Sequence, residues 1–119
     1  MKPDRLAELS LNFGVEIMRL SQRLVRQNEY VASNQICKSG TSIGANIREA
    51  QYAHGTADFI AKLQIALKEA NETDYWLELL YKTGYITESS YKSLDSACAS
   101  IRVMLIASIK TAKDRLISE

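Results

Sequence analysis

After Pro3 the chain contains no proline, and its large apolar residues recur at steps of three and four from one end to the other. That spacing follows the 3.6-residue turn and gives each segment one apolar stripe. With no internal proline, nothing forbids long helices. The first segment spans about 3–27 and carries Leu6, Leu9, Phe13, Ile17, Leu20 and Leu24, with Pro3 suited to a first turn. The second spans about 33–52, with Ser33 as N-cap and Ile36, Gly40, Ile43, Ile47 and Ala50 facing inward. The third spans about 56–83, with Thr56 as cap and Phe59, Leu63, Ala66, Ala70, Thr73, Leu77 and Leu80 on its stripe. Gly84 follows as a left-handed stop. The fourth spans about 87–117, capped by Thr87, with Leu94, Cys98, Ile101, Leu105, Ile109, Ala112 and Leu116 inward.

The short connections require antiparallel neighbours. The expected fold is therefore all-α, an up-down-up-down four-helix bundle forming one domain over residues 1–119. Gly40 and Gly44 each cost about 1 kcal/mol relative to alanine inside a helix. Their presence predicts another backbone or a bulky ring passing close by; a break in the helix is the alternative.

Composition narrows the function. A net charge of +1 gives no bulk attraction to polyanions, so a nucleic-acid role has to rest on local patches. Two cysteines, Cys37 and Cys98, lie in helical segments and read as small buried hydrophobes. The N-terminal residues lack the apolar core of a signal peptide, and no apolar run approaches the ~20 residues that span a bilayer. The expected location is the cytoplasm, with no membrane contact.

The third and fourth segments carry more apolar surface than one stripe. Val103, Met104 and Ile106 lie off the fourth stripe; Ile60, Leu67, Tyr75, Trp76, Leu79 and Tyr81 surround the third. Helices apolar on several sides have several packing partners. This predicts a homo-oligomer; a wide core in a monomer is the alternative.

The runs GTSIGANIREA (Gly40 to Ala50) and KLQIALKEANETDYWLELLYKTGYI (Lys62 to Ile86) resemble the bacterial 23S rRNA-intervening sequence proteins. The likeness is strong over about residues 35–86 and weaker in the outer helices. The resemblance implies a four-helix bundle assembled as a ring, a pentamer. It also implies kinship with the accessory variability proteins of diversity-generating retroelements, pentameric barrels that bind nucleic acid and a reverse transcriptase. It implies no enzymatic activity and no cofactor.

Within these motifs Ser39, Ser42, Asn46 and Glu49 share one face of the second helix. Glu69, Glu72, Thr73 and Trp76 share a face of the third, with Lys68 beside it. The two faces are expected to form a polar layer between helices or subunits; a solvated surface is the alternative.

Arg19, Arg23 and Arg26 lie on one face of the first helix, with Lys38 and Lys82 toward the same end. Arg5, Arg48, Lys62, Lys110, Lys113 and Arg115 fall toward the other end. Multiplied around a ring, these patches would attract RNA or DNA by counterion release. A protein-interaction module with a solvated basic surface is the competing reading.

Enzyme classes find little support. A di-iron bundle needs Glu-x-x-His pairs, and the chain has one histidine, His54. The glycines lack the strand and lysine of a phosphate loop. Arg48 and His54 match the spacing of some helical-bundle ribonucleases, but on a continuous helix they would face different directions.

Overall fold

The computed structural model describes residues 3–118. Met1, Lys2 and Glu119, the outermost positions of the expected domain, lie outside the described residues. Helices α1 (Pro3–Arg26), α2 (Tyr30–Ala50), α3 (Thr56–Lys82) and α4 (Glu88–Ser118) run up-down-up-down. The bundle measures 52 × 21 × 19 Å. No strand occurs among the described residues. The fold is an all-α four-helix bundle.

The turns follow from local chemistry. Asn28 adopts a left-handed φ of 63°, and the Asn28 and Glu29 amides donate to Val25 and Leu24 carbonyls at 2.9 Å each. Gly84, at φ 84°, ends α3 in the same way, with the Tyr85 amide donating to the Leu80 carbonyl at 2.9 Å. Both are Schellman stops, which satisfy carbonyls left open at a helix end. Thr87 accepts from the Ser90 amide at 3.1 Å and opens α4.

Two expected caps are corrected. Glu29, not Ser33, caps α2: its carboxylate accepts from the Ala32 amide at 2.9 Å, so the helix begins three residues earlier, at Tyr30. Ser33 is buried and joins α2 to α1 instead, donating to the Ser21 carbonyl at 2.9 Å while Ser21 donates to the Ser33 carbonyl at 3.1 Å. At α3 the capping position is Gly55, and Thr56 is the first helical residue.

The core collects Leu6, Phe13, Ile17, Leu20 and Leu24 of α1 with the inward residues of the other helices. Gly40 sits here for steric reasons. A Cβ built on it would lie 2.7 Å from Ile17 Cγ2, so α2 remains unbroken and meets α1 side chain to backbone. Gly14 of α1 differs, because a Cβ there meets nothing within 4 Å. Gly14→Ala should raise stability by up to about 1 kcal/mol through helix propensity, read as a higher midpoint in chemical denaturation.

Three of the four helix seams are closely packed; the α1–α4 seam is not. Helix α4 has 31 residues against 24 in α1, and its last turns stand clear of the bundle. Leu116, expected inward, is 41% exposed.

Candidate interaction surface

The loosely packed seam forms an open groove of about 1350 Å³ between α1 and α4. Leu9 and Phe13 line one wall, Ala97 and Met104 the other, and Phe59 and Leu63 of α3 the floor. Arg5 and Arg115 flank one end and Arg23 lies toward the other. Leu9 and Phe59, expected in the closed core, are half-buried because they border this groove.

Outside the groove the bundle exposes large apolar side chains in rows. Leu11, Val15, Met18 and Val25 of α1 are 54%, 40%, 49% and 46% exposed, spaced along one helix face turned away from the core. Sequence reasoning missed this row because the stronger inward stripe of α1 accounts for its amphipathicity. On α4, Ile106 is exposed, as are Tyr75 and Leu79 on α3, while exposed Val103 lines the groove itself. Ile60, by contrast, is buried.

The motif residues divide between the α2–α3 seam and the outer surface. Thr73 is fully buried and donates to Ser39 Oγ at 2.9 Å, and Lys62 pairs with Glu49 at 3.4 Å. These contacts do tie α2 to α3. Ser42 and Asn46 instead donate to carbonyls of their own helix, Lys38 and Ser42, at 2.7 and 2.8 Å. Trp76 donates through Nε1 to Glu72 at 3.3 Å along α3, and its ring meets Tyr75 edge-on at 5.2 Å. Glu69 is half-buried and Lys68 exposed.

All six basic candidates are exposed. Arg19 is paired with Glu16 at 3.4 Å and Lys110 with Asp114 at 3.3 Å. Arg23, Arg26, Lys38 and Lys113 make no ion pair among the described residues. Because α2 ends at Ala50, Arg48 and His54 are brought to one shallow cleft with Tyr52 and Lys62. Asp58 in this cleft accepts from the His54 backbone amide at 3.2 Å. Among the described residues no cluster of His, Cys, Asp and Glu is placed to hold a metal, and no helix is long and apolar enough to cross a membrane.

A further polar group on the α3–α4 seam went unrecognised in the sequence. Asp95 of α4 faces Asp74 of α3 across this seam. Arg102, on the same flank of α4, reaches Asn71 at 3.4 Å and Asp74 at 3.8 Å. Its Nε is buried without an acceptor among the described residues. Hydrogen bonding of its protonated carboxyl to Asp74, then desolvation and the negative charge of Asp74, push Asp95 up to about 6. Burial pushes the neighbouring Cys98 thiol up to about 12, so this cysteine stays a thiol and donates to the Ala70 carbonyl at 3.4 Å. The signal was present in the numbering: in an antiparallel hairpin, residues equally far from the turn lie level, and both aspartates stand about ten residues from it.

Four antiparallel helices joined in hairpin order, with one open seam, define an all-α four-helix bundle. The chain belongs to the 23S rRNA-intervening sequence protein family, whose model matches residues 5–107. It is also similar to a solved Bacteroides thetaiotaomicron protein of unknown function from the S23 ribosomal protein family. The two are 55% identical, with a TM-score of 0.90, over 92% of this chain and 99% of that one. No curated protein matches the chain.

Proposed function

We propose that the protein is a non-enzymatic, cytoplasmic homo-oligomeric scaffold whose basic surface engages RNA or DNA. The observation that carries the reading is the exposed α1 row of Leu11, Val15, Met18 and Val25. Single exposed hydrophobes are ordinary, whereas a row along one helix face is the form an interface takes. Val103 and Ile106 on α4 supply a second such surface. Two different faces on one chain suit head-to-tail contacts, which close into rings. The sequence resemblance favours five copies.

Repetition around a ring multiplies the uncompensated Arg23, Arg26, Lys38 and Lys113, with Arg19 and Lys110 adding charge that their acidic partners partly offset. The family's name, which refers to 23S rRNA, makes RNA the first ligand to try. The ion pairs at Arg19, Lys62 and Lys110 favour a second reading, a protein-interaction module without nucleic-acid contact.

Titration with labelled single-stranded and duplex RNA and DNA separates these readings. Binding should be sequence-tolerant, fall steeply with salt, and weaken in an Arg23→Glu, Arg26→Glu, Lys38→Glu variant. No binding at low salt would favour the interaction module. RNA cleavage that disappears in His54→Ala would replace both with a ribonuclease using Arg48 and His54.

A further inference from the structure

The groove between α1 and α4 is an apolar trough with cations at both ends. Arg5 and Arg115 stand at one end and Arg23 toward the other, and all three are exposed. None of them makes an ion pair among the described residues. Glu16 is the one carboxylate among the lining residues; it falls between Arg5 and Arg23 along α1 and is already paired with Arg19 at 3.4 Å. Between the arginines the walls and floor are apolar, with Leu9, Phe13, Leu63 and Met104 among them. Such a surface gains by being covered, and the charge at its ends selects what covers it.

The dimensions suit one kind of occupant. Arg5 to Arg23 spans about 27 Å of helix, or about five turns, at 1.5 Å per residue. A straight helix laid along the groove would reach the arginines at both ends while its apolar stripe met the floor. We propose that the groove is the docking site for an amphipathic helix of a different protein, about five turns long, with carboxylates at both ends of its apolar stripe. The inference goes beyond the scaffold reading and needs neither the ring nor nucleic acid, because the whole groove lies within one chain.

Charge also says why the occupant is not a second copy. The exposed α1 row, Leu11 to Val25, runs beside Arg19, Arg23 and Arg26, and would set like charges together at one end of the groove. The exposed α3 residues Ile65, Tyr75 and Leu79 lie with Glu72 and Glu78 between Lys68 and Lys82. That order repeats the order of the groove itself, cations outside and carboxylate within, so like would meet like along its length.

The probe is a labelled synthetic peptide of about five helical turns, with a leucine stripe at helical spacing and a pair of glutamates at each end. Two controls accompany it: one with lysines in place of the glutamates, and one with the stripe scrambled. Fluorescence anisotropy on the full-length protein should show saturable binding of the glutamate peptide, about tenfold tighter than either control. Arg5→Glu with Arg115→Glu should reverse the preference, so that the lysine peptide binds better. Both positions are exposed, so circular dichroism and scattering mass should stay as in the wild type. A reversed preference is a readout that mere loss of structure cannot produce. No binding, equal binding of glutamate and lysine peptides, or an unreversed preference in the variant would overturn the proposal. A changed scattering mass in the variant would also overturn it, by making the groove a contact between copies. Full displacement of the peptide by dodecanoate would give the groove to a lipid-like carboxylate instead. Failure here is separate from failure of the nucleic-acid reading, whose test reads Arg23, Arg26 and Lys38 and leaves Arg5 and Arg115 intact.

Discussion

Gly40→Ala should destabilise the protein although alanine is the better helix former. The added methyl would lie 2.7 Å from Ile17 Cγ2, 3.0 Å from Cγ1 and 3.1 Å from Cβ. Ile17 is fully buried and β-branched, so these atoms are close to the α1 backbone and cannot swing aside. Overpacking of this kind costs about 1–3 kcal/mol, against about 1 kcal/mol gained in propensity, and leaves a net loss. Gly40→Leu should prevent native folding. The cycle with Ile17 is the sharper test. In an Ile17→Ala background, itself weakened by about 2–5 kcal/mol, Gly40→Ala should become neutral or stabilising because its methyl enters the vacated space. Urea unfolding of the four proteins measures the coupling. Equal costs for Gly40→Ala in both backgrounds would mean that Ile17 is not what excludes a side chain there.

Val15→Glu with Met18→Glu should dissociate the proposed assembly while leaving each bundle folded. Both positions are substantially exposed, at 40% and 49%, and their side chains take no part in the core. Glutamate is nearly as good a helix former as methionine, so the local helix should persist. A desolvated, unpaired carboxylate at a subunit contact costs several kcal/mol, enough to abolish a weak interface. Far-ultraviolet circular dichroism should be unchanged and the mass in solution should fall to that of one chain. Retention of the full assembly would move the contact away from this row, toward Val103 and Ile106.

The inward stripes were legible because burial in a bundle imposes a period that the sequence repeats. Gly84 was legible too, and so was a close approach at Gly40, although the neighbour is the aliphatic Ile17 and not the expected backbone or ring. The start of α2 was not. Ser33 has good capping chemistry, but Asn28 turns left-handed and Glu29 caps first, so the chain is already helical when it reaches the serine. The outer row of α1 was hidden by the stronger inner stripe on the same helix. Leu116 was misplaced because periodicity says which way a residue points and not how deeply it is buried. The Asp74–Asp95 pair was lost between segments: each aspartate looks like a surface charge on its own helix, and only the hairpin register makes them meet.

The proposed scaffold function depends on apolar side chains of α1 and α4 that a lone bundle leaves in water and that other copies of the same chain would cover. Light scattering on the purified wild-type protein, over a range of concentrations, tests this most directly. A stable species at about five times the 13.4 kDa chain mass is the predicted result. A scattering mass that stays at one chain, however concentrated the sample, would contradict the account.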